Sequence, residues 1–250
     1  MEFGNELFAV LPYAYWLYMT DRLESTRSAV GTEPFYYFSP QHQINPVKRY
    51  SGNIWRRDVD IPNKSVGEFT GEGEWYAPPL KAWYMNSEFV YGREDDTYKP
   101  ILVIANKYNI EWLRGPVNYL DIPTICTIIE QFQDTHQIFY NRYVPEQLSD
   151  DQQRMDLGEH DFIRSEYPDV KFIMELPGNF NLNQLRVYAN CEKFVSVQGG
   201  NSILASYFGG ENVIYAVKGN ELGGFYNKLH KLSGCDVKHV RTYTELIQAL

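Results

Sequence analysis

The sequence predicts an α/β protein built on a doubly wound parallel sheet. From residue 101 onward, six short apolar runs alternate with six segments of helical character. The runs are apolar throughout rather than alternately apolar and polar, which is typical of parallel strands covered by helices on both faces. Six strand–helix units within about 150 residues indicate one doubly wound, Rossmann-like domain.

The units can be placed along the chain. The predicted strands are 101–105, 137–140, 171–175, 193–198, 212–217 and 237–241. The predicted helices are 121–134, 157–166, 181–191, 201–209, 223–232 and 243–250. Such sheets bind ligands at the carboxyl ends of the strands, near the point where the strand order reverses. We therefore expect the chemistry in the loops that follow these strands.

The N-terminal part of the chain has a different texture. All five tryptophans lie in the first 112 residues, and Pro, Gly and Asn interrupt residues 31–100 so often that regular elements there must be short. The acidic stretch at 94–96 marks a boundary. The prediction is a smaller, irregular, aromatic-rich domain over 1–96 and the Rossmann-like domain over 97–250.

The first helix of that smaller domain shows a helical spacing of apolar residues. Leu7, Leu11, Ala14 and Tyr18 fall on one face of a helix near the N-terminus. Pro12 either kinks this helix or restarts it, because proline lacks the N–H that a helix interior needs.

Composition and charge exclude several classes of protein. A net charge of −9 disfavours non-specific nucleic-acid binding, which needs a basic face, although a local cation cluster can still bind a small anion. The chain contains no apolar run long enough for a spanning helix, and its start lacks the pattern of a signal peptide. Three cysteines far apart indicate reduced thiols. We expect a cytoplasmic protein.

Motifs for metals and other nucleotide cofactors are not convincing. The histidines match no zinc-binding pattern. Asp58 and Asp60 form a D-x-D sequence, but it lies in the proline-rich half rather than at a strand end, so we interpret it as a solvated loop. No G-x-G-x-x-G follows the first strand and no P-loop motif occurs, which disfavours a dinucleotide oxidoreductase and a P-loop NTPase.

The loop after the fourth predicted strand has the composition of a phosphate cradle. Gln198 is followed by Gly199 and Gly200, which let the backbone approach a ligand closely. Asn201 and Ser202 then open a helix whose free N–H groups favour an anion, and either residue could cap the helix or donate to the ligand. The alternative is a tight turn without a ligand.

Cations follow the first two predicted strands. Asn106 and Lys107 come directly after the first strand, and Arg142 comes after the second. An ammonium group could neutralise a diphosphate, and a guanidinium could bind phosphate oxygens through two parallel hydrogen bonds. The alternative for each cation is a solvated surface side chain.

The loop after the third predicted strand could hold a nucleoside. Glu175 could accept from ribose hydroxyls, and backbone groups beginning at Leu176 could read the base. The alternative is an ordinary strand-to-helix connection with Asn181 as the helix cap.

Taken together, residues 101–250 resemble the nucleotide-binding domain of GT-B glycosyltransferases. In those enzymes a glycine-bearing loop and helix start after a late strand hold the donor diphosphate, with help from a basic residue on an earlier strand. The segment 198–202, the small-residue helix after it and Gly209-Gly210-Glu211 are similar to that region. The resemblance implies a GDP- or UDP-linked sugar as donor, a glycan or other hydroxyl acceptor, and no metal or cofactor.

The N-terminal sequence Phe3-Gly4-Asn5-Glu6-Leu7-Phe8 resembles the G-x-G-N-Q-[LM] loop that opens the first helix of fucosyltransferase-like enzymes. The resemblance implies that Gly4 and Asn5 lie near the donor sugar, in the cleft between two domains. This chain departs from the pattern, with Glu2 in place of the first glycine and Glu6 in place of glutamine. The segment before Gly4 is also too short for the usual first strand. The alternative is a simple amphipathic helix.

These features predict a metal-independent glycosyltransferase that acts in polysaccharide or glycan biosynthesis. The residues do not decide between inversion and retention; the resemblance of the N-terminus to fucosyltransferase-like enzymes implies inversion. Inversion needs a general base for the acceptor hydroxyl; the candidates are Glu6 and Glu111, with Asp21 third. Alternatives are a nucleotide-sugar epimerase or another group transferase on the same fold, and a non-catalytic module that binds glycans or nucleotides. No spacing identifies the two facing carboxylates of a glycosidase.

Overall fold

A computed structural model describes residues 3–45, 76–85, 99–110, 115–142 and 155–250. The strands in these ranges are β1 (Thr26–Ala29), β2 (His42–Asn45), β3 (Ile101–Ala105), β4 (Gln137–Asn141), β5 (Lys171–Phe172), β6 (Cys191–Val197), β7 (Glu211–Tyr215) and β8 (Asp236–Val240). The α-helices are α1 (Phe3–Asn5), α2 (Leu11–Met19), α3 (Leu80–Tyr84), α4 (Ile122–Phe132), α5 (Glu159–Glu166), α6 (Phe180–Ala189), α7 (Gly200–Ala205), α8 (His230–Ser233) and α9 (Tyr243–Ala249).

The large sheet has the strand order β5-β4-β3-β6-β7-β8, and all of its strand pairs are parallel. The chain runs outward from β3 to β5, returns to the centre at β6 and then runs outward in the other direction. This is the order of the dinucleotide-binding fold, in which the strand order reverses between the first and fourth strands. Here the reversal falls between β3 and β6. The predicted α/β fold with a parallel sheet is confirmed.

Helices cover both faces of this sheet. Leu102 and Ile104 of β3 enter one apolar layer, which also contains buried side chains of α4, α5 and α9. Val103 and Ala105 of the same strand enter the other layer, together with α6, α7 and the N-terminal helices. Because successive side chains of a strand point to opposite faces, a wholly apolar strand is the expected sequence for burial on both sides.

The N-terminal helix contains one wide turn. Between α1 and α2, residues Glu6–Val10 form a π-helical turn, and the N–H of Leu11 donates to the carbonyl of Glu6 five residues earlier. Pro12 has no N–H to donate to the carbonyl four residues before it, which removes one α-helical bond at this place. Regular α-helix begins at Leu11, so Pro12 lies at the restart of the helix.

The apolar face of this helix packs on the sheet domain. Leu7, Leu11 and Ala14 are buried, whereas Tyr18, which was predicted on the same face, is 42% exposed. The hydroxyl of Tyr207 donates to the carbonyl of Leu7 at 2.5 Å. The described N-terminal residues therefore share one core with the sheet. The predicted domain boundary at residue 96 lies outside the described residues and stays a prediction.

The other elements in the described part of the N-terminal half are short. β1 and β2 form a two-stranded parallel sheet, and a 3-10 turn spans Glu33–Tyr36 between them. α3 adds five residues. Within the described ranges, no helix has the length and apolar character to cross a membrane.

Candidate functional site

The carboxyl ends of β3 and β6 lie side by side where the strand order reverses. Ala105 pairs with Ser196 at the ends of these strands, so the residues that follow them are neighbours. Lys107 follows β3 and Gln198 follows β6, and the ammonium of Lys107 donates to Oε1 of Gln198 at 2.5 Å. The structure thus brings together two residues that the sequence predicted at separate loops.

Gly199 brings the backbone close to this ammonium. Its φ of +120° is a conformation that favours glycine. A Cβ built on Gly199 would lie 3.5 Å from Nζ of Lys107. The glycine therefore permits both the turn after β6 and a short approach to the cation.

The N-terminal segment Phe3–Asn5, predicted as a loop, is the helical turn α1 and meets the same place. A Cβ built on Gly200 would lie 2.6 Å from Cδ1 of Phe3 and 3.4 Å from the backbone N of Gly4. A Cβ built on Gly4 would in turn lie 3.8 Å from the Cα of Gly200. The two predicted glycine loops are in contact, with half-buried Asn5 next to them.

The start of α7 differs in detail from the prediction. Its N-cap is Gly199, which has no side chain to cap with, so neither Asn201 nor Ser202 caps the helix. Ser202 is fully buried, and its hydroxyl donates to the carbonyl of Gly199 at 2.8 Å. Asn201 is half-buried in the first turn. A contact of either side chain with a ligand stays a prediction.

Asn118 and Glu221 complete a polar network that the sequence did not predict. Nε2 of Gln198 donates to Oε1 of Glu221 at 2.7 Å, and Nδ2 of Asn118 donates to Oε1 of Gln198 at 3.3 Å. Asn118 is only 1% exposed. It lies far along the loop from β3, and Glu221 lies in a 3-10 turn, so no local pattern marks either residue.

The side chain of Asn106 is buried and forms hydrogen bonds within the protein. It is 1% exposed, and its Oδ1 accepts from the backbone N–H groups of Lys107 and Leu120, each at 2.9 Å. Its Nδ2 donates to the carbonyl of Leu120 at 3.0 Å and to the hydroxyl of Tyr140 at 3.1 Å. Asn106 therefore shapes the loop from which Lys107 projects, and its contact with a donor stays a prediction.

Arg142 is buried and paired. Its guanidinium forms an ion pair with Glu159, the first residue of α5, and donates to the carbonyl of Met155. The side chain of Arg142 is 5% exposed, and that of Glu159 is fully buried. The hydroxyl of Tyr140 also donates to Glu159, at 3.2 Å, and burial raises the pKa of Tyr140. The alternative of a solvated surface cation is wrong, and phosphate binding by Arg142 stays a prediction.

Glu175 and Leu176, in the segment after β5, form hydrogen bonds with other residues of the protein. Glu175 is exposed and accepts two hydrogen bonds from Arg164, at 2.9 and 2.6 Å. The carbonyl of Leu176 accepts from Asn183 at 3.1 Å. The predicted cap Asn181 was wrong: the side chain of Asn179 caps α6, accepting from the N–H of Leu182 at 3.0 Å.

Asn181 has another partner and connects the two halves. Its Nδ2 donates to the carbonyl of Gly31 at 2.5 Å. Nucleoside binding by Glu175 and Leu176 stays a prediction.

Glu6 lies in the π-helical turn and is 6% exposed. Its Oε1 accepts from the hydroxyls of Tyr36 at 2.8 Å and Thr32 at 3.4 Å. His42 stacks on Tyr36 with ring centroids 5.2 Å apart. Burial lowers the pKa of His42, although the nearby carboxylates Glu33 and Glu6 act in the opposite direction.

The other predicted acidic residues are placed only in part. Glu111 and the pair Asp58 and Asp60 lie outside the described residues. Asp21 is exposed at the end of the N-terminal helix. Within the described ranges, no three His, Cys, Asp or Glu side chains are grouped so that they could hold a metal ion.

Comparison with known proteins gives one distant structural likeness. No protein-family model matches the chain, and no curated protein matches it. A sucrose-phosphate synthase from Thermosynechococcus elongatus has a similar structure, with a TM-score of 0.40 and 14% sequence identity. The match covers 97% of this chain and 55% of that chain, so this chain spans about half the length of the protein it resembles.

Proposed function

We propose that this chain is a glycosyltransferase that moves a sugar from a nucleotide-diphosphate sugar to a hydroxyl of a glycan or another acceptor. The observation that carries the proposal is the pairing of Lys107 with the Gln198–Gly200 loop at the adjoining ends of β3 and β6. Ligands of doubly wound sheets bind at this reversal of strand order. A cation beside a closely approaching glycine backbone suits a diphosphate.

The position of α1 supports a donor sugar next to that diphosphate. Gly4 contacts Gly200, so a diphosphate at the glycine loop would place its sugar near Gly4 and Asn5. This agrees with the fucosyltransferase-like interpretation of the N-terminal sequence. That interpretation, and the identity of the sugar and the base, are part of the proposal.

The chemistry follows from the charges that change during transfer. The acceptor oxygen attacks the anomeric carbon and inverts it, while the bond from that carbon to the diphosphate breaks. Lys107 would stabilise the negative charge that develops on the leaving nucleoside diphosphate, without a metal ion. Glu6 or Glu111 would take the proton of the acceptor hydroxyl. Tyr36 and Thr32 already fix the carboxylate of Glu6.

A non-catalytic glycan-binding module is the second candidate, and a pair of aromatic rings favours it. Tyr37 and Trp83 stack with centroids 4.2 Å apart, and Trp83 is 60% exposed. Exposed aromatic faces of this kind present a flat apolar surface to a partner. Such a module would bind glycan without affinity for nucleotides. An epimerase or another group transferase would share the diphosphate site but would not transfer a sugar to an acceptor.

Binding of nucleotides tests the proposal. We expect UDP or GDP, and a UDP- or GDP-linked sugar, to raise the melting temperature of the protein in the presence of EDTA. A ligand that binds only the folded state stabilises that state. Lys107→Ala should weaken diphosphate binding by roughly 10- to 100-fold and nucleoside binding far less, since it removes a charge-assisted contact. Calorimetric titration measures both affinities.

The matched control is Lys99→Ala. Lys99 precedes β3, at the amino ends of the strands and so opposite the proposed site, and donates to the carbonyl of Gln133 at 2.9 Å. It should leave nucleotide affinity unchanged. Absence of nucleotide binding in the intact protein would contradict the proposal. Transfer that is lost with EDTA and restored by Mn²⁺ would instead assign the site to Asp58 and Asp60.

A further inference from the structure

Asn118 connects the three loops that follow the central strands of the sheet. It lies in the loop after β3, and its Nδ2 donates to Gln198 after β6 at 3.3 Å. The same Nδ2 donates to the carbonyl of Lys218, after β7, at 2.8 Å. Its Oδ1 accepts from the N–H groups of Val217 at 2.8 Å and Lys218 at 3.1 Å. Both ends of one buried amide are therefore engaged.

Through these bonds Asn118 fixes the partner of Lys107. Oε1 of Gln198 accepts from both Asn118 and Lys107, while Nε2 of Gln198 donates to Glu221 at 2.7 Å. Gln198 is 7% exposed, so its amide is held on both sides within the protein. The oxygen that receives the ammonium therefore has a defined position.

We propose that Asn118 is a positioning residue for the diphosphate site. By orienting Gln198 it holds the ammonium of Lys107 at the glycine loop, and through Val217 and Lys218 it fixes the loop after β7 against the same place. A lysine side chain is long and flexible, so orienting it before the ligand arrives lowers the entropy cost of binding. This inference rests on the proposed function, in which Lys107 binds the diphosphate.

The test measures the dissociation constants of inorganic pyrophosphate and of UDP and GDP by calorimetric titration. We expect Asn118→Ala to raise them about five- to ten-fold, the effect of losing one or two hydrogen bonds. Thr242→Ala is the control for lost stability. Its hydroxyl caps α9 by accepting from the N–H of Glu245 at 3.1 Å, and its removal should leave the dissociation constants unchanged.

A double-mutant cycle separates positioning from general stability. In the Lys107→Ala background, Asn118→Ala should raise the dissociation constants less than two-fold, because the group that it positions is gone. The same fold-change in both backgrounds, or none in the intact protein, would overturn the inference while leaving the proposed function in place. Failure of the intact protein to bind any of the three ligands would overturn both.

Asn118→Asp keeps the test decisive if the alanine variant does not fold. Aspartate can still accept from the N–H groups of Val217 and Lys218, but it cannot donate to Gln198. It would also add a negative charge next to Gln198 in the proposed diphosphate site. We expect an affinity loss at least as large as with alanine; wild-type affinity in this variant would show that Asn118 only supports the loop.

Discussion

Lys107 and Arg142 are both basic residues placed just beyond a strand, yet the structure uses them differently. Lys107 donates to the neutral amide of Gln198 at the reversal of strand order. Arg142 forms a buried ion pair with Glu159. A guanidinium that leaves water needs a paired charge, and removing one partner of a buried pair is strongly destabilising. The partner lies at the start of α5, and no spacing in the sequence joins the two residues.

The proposed role of Glu6 is to accept the proton of the acceptor hydroxyl. We expect Glu6→Gln to lower turnover by roughly 100-fold or more while donor affinity changes less than two-fold, because a general base acts in the transition state. The variant should fold, since the glutamine carbonyl can accept from Tyr36 and Thr32 as the carboxylate does. Measurement of kcat and of the donor dissociation constant separates the two effects.

Glu33→Gln is the control for this experiment. Glu33 is a neighbouring carboxylate in the 3-10 turn, and it adds negative charge near His42 as Glu6 does. Its substitution should leave turnover close to wild type. Wild-type turnover in Glu6→Gln would remove Glu6 from the mechanism and make Glu111 the next residue to change.

At the scale of elements, the sequence predicted the sheet better than its connections. All six predicted strands of the large sheet occur. An apolar run bounded by polar residues can be recognised from neighbouring residues alone, without knowledge of the tertiary structure. The third is the shortest: β5 ends at Phe172 and continues as a 3-10 turn over Ile173–Glu175. It is an edge strand that pairs only with β4, so fewer ladder bonds hold it extended.

The predicted helix at 223–232 is also only partly correct. Two 3-10 turns and the short α8 occupy this region. Gly224 has a φ of +102°, which a helix cannot contain, and it separates the two turns. The positions of Lys107 and Gln198 could be predicted because each residue follows closely on a strand. Asn118 was missed because its place depends on how three loops meet.

The contact between α1 and α7 gives a prediction about Gly200. We expect Gly200→Ala to destabilise the protein by about 1–3 kcal/mol, because the new methyl group would lie 2.6 Å from the ring of Phe3. Phe3 packs edge-on against Phe35, so moving its ring loses that contact as well. Urea unfolding measures the change in the free energy of unfolding.

Phe3→Ala provides the matched background. With the ring removed, Gly200→Ala should be neutral or slightly stabilising, since alanine is favoured over glycine in a helix. An equal loss in both backgrounds would show that contact with Phe3 is not the cause.

At the scale of the whole molecule, half-buried histidines predict how stability depends on pH. Burial lowers the pKa of His42, His136 and His160 below their ordinary value of 6.5. Nearby carboxylates act in the opposite direction at His42 and at His160, where the carboxylates are Glu159 and Glu175, while two arginines add to the lowering at His160. Below pH 6.5 the unfolded chain therefore binds more protons than the folded one. The free energy of unfolding should be constant above this pH and fall as the pH drops below it.

Urea unfolding between pH 8 and pH 5 measures this dependence. Each histidine can contribute a slope of at most about 1.4 kcal/mol per pH unit. His160→Gln should reduce the slope, because glutamine does not titrate, while His42 and His136 maintain the rest. The same slope in the variant and the intact protein would contradict the assignment to His160. The pKa of the Glu211 carboxyl is lowered from its ordinary value of 4.5. Burial opposes ionisation, but the ammonium groups of Lys193 and Lys238 outweigh it.

The hydrogen bond from Tyr207 to Leu7 also determines when the chain can finish folding during its synthesis. The two residues are 200 positions apart in the sequence. A ribosome that adds about 5–20 residues per second needs roughly 10–40 s to make the intervening chain. Until α7 and Tyr207 have been made, the apolar side of the first helix lacks part of the surface on which it packs. The first helix of this domain is thus made well before the residues that bury it, and it can become native only after them.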